Sequence, residues 1–225
     1  MDEAAIEELE LSDAESFEEV QLTAAQVIEM MEEAWVNEKF APEILPHKME
    51  VVDCLLGQIA YMEENLQSLP STDFKKSIHQ LEVDRLRFLV SSYLRTRLEK
   101  IETYVTHILK QEQQRHESKE DLYLSKQELK FAKEIAEALK QNFDGLVSFY
   151  PGLPLEEWVS QPVQPNMHSF VFLKSKKDVN EVVIDDGSIA TEGESDLVDF
   201  REGAQILIAY SSVAGLLKKG DVKLI

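Results

Sequence analysis

Cysteine is nearly absent from this 225-residue chain: Cys54 stands alone. A lone cysteine excludes an internal disulfide and suits a reducing compartment. No basic residue lies beside it to lower its pKa, so it reads as a small apolar residue buried on a helix. Glycine is sparse as well, at eight residues. No Gly-rich phosphate loop, Cys-x-x-Cys or His-x-x-x-His pattern occurs. The five histidines (His47, His79, His107, His116 and His168) form no i, i+3 or i+4 pair. Adjacent carboxylates such as Glu32-Glu33 and Glu63-Glu64 diverge by about 100° on a helix and read as solvated faces. These absences leave no catalytic constellation, no metal ligand set and no cofactor site to assign. No apolar run approaches the length of a bilayer span. The acidic N-terminus lacks the basic and apolar blocks of a signal peptide. The chain therefore reads as a non-enzymatic protein that avoids membranes.

What the sequence has in excess is negative charge: 43 acids against 23 lysines and arginines, a net charge of −20. The excess is concentrated. Residues 1–20 hold nine acids and no base, and residues 178–202 hold nine acids and only Arg201. Such a chain is repelled by nucleic acid and by anionic lipid unless it carries a local basic patch. The best candidate patch is Arg85, Arg87, Arg95, Arg97 and Lys100. On a helical wheel these residues encircle the axis, and Glu82, Asp84, Glu99 and Glu102 alternate with them. Ion pairs within the helix or across a subunit boundary explain them better than phosphate contacts. No sequence-specific nucleic-acid contact is expected.

The hydrophobic pattern predicts an α+β chain: an N-terminal four-helix α-domain, then a small C-terminal β-rich domain. Residues 1–21 read as an acidic, disordered tail. Order begins at a capping box, Thr23 with Gln26, stapled by Leu22 and Val27. A first helix should run to about Asn37. A second carries Met49, Val52, Leu55, Ile59, Met62 and Leu66, and stops at Pro70. The third should be long, from about Asp73 to about Gln111. With Arg85 as origin, its first half has apolar residues near 0°, and its second half between about 80° and 200°. The pattern thus predicts an apolar face that turns partway along, which calls for two packing partners. Residues 111–121 read as loop. Ser125 and Glu128 form a second capping box, opening a fourth helix that ends near Gly145. The helical domain is placed at 22–143. Four of the seven prolines fall in 144–168, a proline-rich linker with Leu153, Leu155 and Trp158 as possible anchors. Residues 169–225 are placed as the β-domain, with strands at 170–173, 181–184, 197–200 and 205–210. Glu202-Gly203 suggests a hairpin between the last two. A short helix stopped by Gly220 and a strand over 222–225 complete it.

One block is specific. Trp35-Val36-Asn37-Glu38-Lys39-Phe40-Ala41-Pro42-Glu43-Ile44-Leu45 resembles the signature of the Sld-five-type subunits of the GINS complex. Ser77-Ile78-His79-Gln80, Asp84-Arg85, Arg87-Phe88 and Ser91-Ser92-Tyr93-Leu94-Arg95 with Arg97-Leu98 resemble the long helix of that family. Phe170-Val171-Phe172-Leu173 and the ending Leu224-Ile225 are similar to its first strand and C-terminus. Ala209 departs from it, since the resemblance implies an arginine there. The resemblance implies a nuclear, non-catalytic subunit of a heterotetramer with three other GINS subunits. That tetramer bridges the MCM helicase ring and its Cdc partner in the replicative helicase. The candidate partner contacts are Trp35, Phe40, Ile44, Tyr93, Arg95, Arg97, Leu224 and Ile225, with Trp35 equally suited to the chain's own core. Acidic, apolar-studded tails of this subunit type are similar to peptides that dock on a replisome hub, which makes Ile6 and Leu9 candidate anchors. The reading from a different class is a freestanding helical adaptor that recruits partners through its acidic N-terminal tail.

Overall fold

A computed structural model of the chain describes residues 23–68, 70, 73–150, 162–183 and 197–225. The tail with Ile6 and Leu9, the Leu22 staple, and the anchors Leu153, Leu155 and Trp158 lie outside the described residues.

Five helices come first: α1 (Ala24–Phe40), α2 (Met49–Ser68), α3 (Phe74–Thr103), α4 (Val105–Ser118) and α5 (Lys126–Phe149). Both capping boxes form. The Thr23 hydroxyl accepts from the Gln26 N–H while Gln26 accepts from the Thr23 N–H, and Ser125 and Glu128 do the same. The four expected rods are present, but the third is broken. Tyr104, at φ −116° and ψ 26°, interrupts it for one residue, so α3 and α4 count separately. The helix then continues to Ser118 through residues expected to be loop. Polar side chains hold it there: Gln113 bonds Glu117, and Arg115 pairs with Glu112. Lys119 ends it in the left-handed region at φ 58°. At the far end, α5 passes through Gly145. A helical glycine costs only about 1 kcal/mol, and no proline intervenes before Pro151.

Two cores hold the helices. Val27, Met31, Val52, Leu55, Ile59, Val83, Leu86, Leu89 and Tyr93 join α1, α2 and α3. Ile44, Ile101, Val105, Ile108, Leu124 and Ala132 join the end of α3 to α4 and α5. The expectation of a turning face on α3 needs correction. Val83, Leu86, Val90, Tyr93, Arg97 and Ile101 are all buried, and they form one continuous stripe. The extra apolar residues near 0° (Phe74, Ile78, Leu81 and Phe88) are 51–77% exposed. Cys54, expected in the core, is also exposed.

The C-terminal region contains β1 (Phe170–Ser175), β2 (Val179–Val183), β3 (Leu197–Phe200), β4 (Gln205–Ala209), α6 (Tyr210–Lys219) and β5 (Val222–Leu224). Antiparallel pairing gives a three-stranded sheet in the order β4-β1-β5 and a two-stranded sheet of β2 with β3. The hairpin expected between β3 and β4 does not form, because the two strands belong to different sheets. Gly203, at φ 80°, turns the chain between them. Its N–H donates to the Ser175 carbonyl, and Ala204 accepts from the Ser175 N–H, so the crossover is fastened to the end of β1. Ala209 is buried and precedes the first turn of α6. The third core consists of Val171, Leu173, Phe200, Ile208, Tyr210, Val213, Leu217, Val222 and Leu224, joined by Ala41 and Leu45 from the connector after α1.

Candidate functional site

The signature block is the joint between the helical and strand-rich regions. It occupies the last turns of α1 and the extended connector to α2, which Pro42 and Pro46 keep out of helix. Along the connector, neighbouring side chains serve different cores. Ala41 and Leu45 enter the strand-rich core, and Ile44 enters the core of α3, α4 and α5. Asn37 reaches across to β5, where its Oδ1 accepts the Leu224 N–H at 2.8 Å. Lys176 pairs with Glu33 of α1 at 2.7 Å.

Behind the connector lies a buried polar knot centred on Arg97, whose side chain is 0% exposed. Its guanidinium donates to both Glu128 oxygens, at 2.6 and 3.1 Å. It also donates to Glu38 at 3.1 Å and to the carbonyls of Leu45 and Tyr123 at 2.7 and 2.8 Å. Burial opposes this charge, but Glu128 and Glu38 outweigh burial, and the pKa is raised. Burial likewise pushes against the Glu128 carboxylate, yet Arg97 and the Ser125 cap hold its pKa below the usual value. Lys100 donates to Glu38 at 2.8 Å, to the Glu38 carbonyl, and to the Glu43 carbonyl at 2.8 Å. Its pKa is lowered, because burial exceeds the attraction of Glu38. Glu43, 7% exposed, accepts from Tyr210 at 2.9 Å and from Lys218 at 2.8 Å, both in α6. Burial first, and Glu43 second, push the Tyr210 phenol up, so it remains a donor. An unpaired ion in this setting would cost several kcal/mol, which is why every member has several partners.

The predicted site residues separate into two groups. Tyr93 and Arg97 are fully buried, so they hold the chain itself together. Tyr93 accepts the Lys48 N–H at 3.1 Å and lies 5.7 Å beneath the Arg97 guanidinium. The expected pairing of Arg97 with Glu99 and Glu102 is replaced by pairing with Glu38 and Glu128. Ile44 and Leu224 are buried as well, each in a core of this chain. Trp35 is half-buried: its indole N–H donates to Ser92 at 2.9 Å, and its ring meets Phe88 edge-on at 6.3 Å. Phe40 (46% exposed), Arg95 and Ile225 remain at the surface. The sequence reading missed Glu38, Glu43, Glu128, Tyr210 and Lys218 as site residues, and grouped Lys100 with a basic patch that the buried knot replaces.

Among the described residues, no group of three or more His, Cys, Asp or Glu is placed to hold a metal. No described helix is long and apolar enough to cross a membrane.

The fold and the joint define a class: an α+β chain whose helical bundle is fastened to a small strand-rich unit through one signature block. Comparison with known proteins gives the class its family. Residues 55–145 match the GINS complex protein helical bundle domain, and residues 165–225 match the C-terminus of the DNA replication complex GINS protein SLD5. The DNA replication complex GINS protein SLD5 of Xenopus laevis is 41% identical, over 97% of this chain and 99% of that protein. The human protein of the same name is 40% identical, over 92% and 93%. That of Arabidopsis thaliana is 31% identical, over 91% and 93%. The chain belongs to the SLD5 family of GINS proteins.

Proposed function

We propose that the chain is a non-catalytic structural subunit of a heterotetrameric GINS complex. In this reading three other GINS subunits are its direct partners. The tetramer joins the MCM ring and its Cdc partner in the nuclear replicative helicase, and serves initiation and fork progression. The observation that carries the proposal is the near-complete overlap with proteins named as GINS components of a DNA replication complex. The exposed stripe on α3 supports it. Phe74, Ile78, Leu81 and Phe88 form an apolar surface that a monomer has no reason to keep in water. The mechanism is architectural: binding energy from several faces favours one shape of the assembly through differential affinity. Residues 1–20, with Ile6 and Leu9, would recruit a replisome hub without supporting the fold.

Purification of the tagged protein from cells tests this. Four chains in equal amounts, stable to dilution, are the expected result. A monomer with transient partners would point to the freestanding adaptor instead.

A further inference from the structure

A cleft of about 820 Å³ opens where α1, the connector, the loop after α4 and the end of α6 meet. Its apolar lining includes Met30, Ala34 and Val51. Five lysines line it too: Lys48, Lys119, Lys176, Lys218 and Lys219, against Glu33, Glu38, Glu120 and Asp121. This is a local basic excess in a chain of net charge −20. Lys176 and Lys218 are committed to Glu33 and Glu43. Glu38 is committed to Arg97 and Lys100. Lys48, Lys119 and Lys219 make no ion pair among the described residues, and all three are exposed.

We infer that residues 1–22 of the same chain occupy this cleft, acids against lysines and apolar side chains against its apolar lining. The first twenty residues carry nine acids and no base, interspersed with Ile6, Leu9, Leu11, Phe17 and Val20. Both halves of the lining therefore find their complement in one segment. Geometry favours that segment over an acidic peptide from elsewhere. The tail joins α1 at Thr23, and Met30 follows seven residues later, about 10 Å along the helix. Twenty-two residues can reach about 70 Å when extended, so the tether does not limit docking. Tethering also gives the tail an effective concentration in the millimolar range, which a free peptide lacks. A seated tail hides its own apolar residues, so any partner that reads the tail must first displace it from the cleft.

The test uses the full-length chain in its purified complex. Zero-length carbodiimide cross-linking joins carboxylates to lysines in contact, and mass spectrometry maps the products. Links from acids of residues 1–20 to Lys48, Lys119 or Lys219 are expected, with yields that fall as salt screens the pairs. In the double variant K119E/K219E, the yield of links to the retained Lys48 should fall about fivefold, since each exposed pair contributes modestly. Its unfolding midpoint should match the parent's. Independently, deletion of residues 1–21 should speed amide exchange in residues 45–48 and 119–123. Cleft lysines linked only to carboxylates of residues 185–196 or of another subunit would overturn the inference. So would unchanged exchange after the deletion.

Discussion

Arg97 has no exposed surface, and its charge is shared among two carboxylates and two carbonyls. Replacing it with Met would leave Glu128 buried without its cation and Glu38 with Lys100 alone. The expected loss is about 3–5 kcal/mol, read from urea unfolding of the purified protein. Lys at this position keeps the charge but not the planar fork, and should recover only part of the loss. Arg95→Ala, two residues away and exposed, should change stability by no more than about 0.5 kcal/mol. Glu128 adds a pH dependence. Its folded pKa lies below the ordinary 4.5, so the stability it contributes is fully present above that value. That stability is lost as the pH falls through the lower folded value. Glu128→Gln should therefore flatten the acid limb of the stability profile, measured by thermal unfolding from pH 7 downward. A trace of this knot is visible in the sequence. On the α3 wheel Arg97 falls at about 120°, inside the apolar arc, where a charge must find buried partners. Their identity is not visible, because Glu128 and Glu38 lie 31 and 59 residues away.

At the level of elements, α3 presents two stripes, and the sequence shows both without ranking them. Periodicity marks residues as apolar; it does not say which stripe the chain covers with its own helices. Here α1 and α2 cover the Val83–Tyr93 side and leave Phe74, Ile78, Leu81 and Phe88 in water. The double variant I78D/L81D should fold with unchanged stability, since both residues are exposed. It should nevertheless recover less of the other subunits in a co-purification. Full recovery would mean that this face is not an assembly surface. Strand pairing was less legible than the helices. Glu202-Gly203 is good turn chemistry, but a turn sequence does not reveal whether its flanking strands pair with each other. In this chain the turn is tied to Ser175 and feeds a different sheet. At the joint, Asn37→Ala removes the acceptor of the Leu224 N–H, at a cost of about 1–3 kcal/mol if the donor stays dry. Amide exchange should rise over residues 222–224 and stay constant in α2.

For the molecule as a whole, the apolar surface left uncovered among the described residues includes the α3 stripe, the end of α5 at Leu146 and Phe149, and the outer face of β1 and β4 at Phe170, Phe172 and Leu207. Expressed alone, the chain should self-associate in light scattering, and co-expression with the other subunits should suppress this. A monodisperse monomer would count against an obligate assembly.

The joint also fixes an order of events during synthesis. Glu43 waits for Tyr210, 167 residues later, and Asn37 waits for Leu224, 187 residues later. At a ribosomal rate of roughly 5–20 residues per second, that interval lasts on the order of ten seconds or more. The bundle of α1 to α5 has all of its own residues by then, while Ala41 and Leu45 still lack the core they belong to. Contacts of such long sequence separation close late and slowly. The same block that fastens the finished protein is thus, in the nascent chain, an open apolar seam for a chaperone to guard.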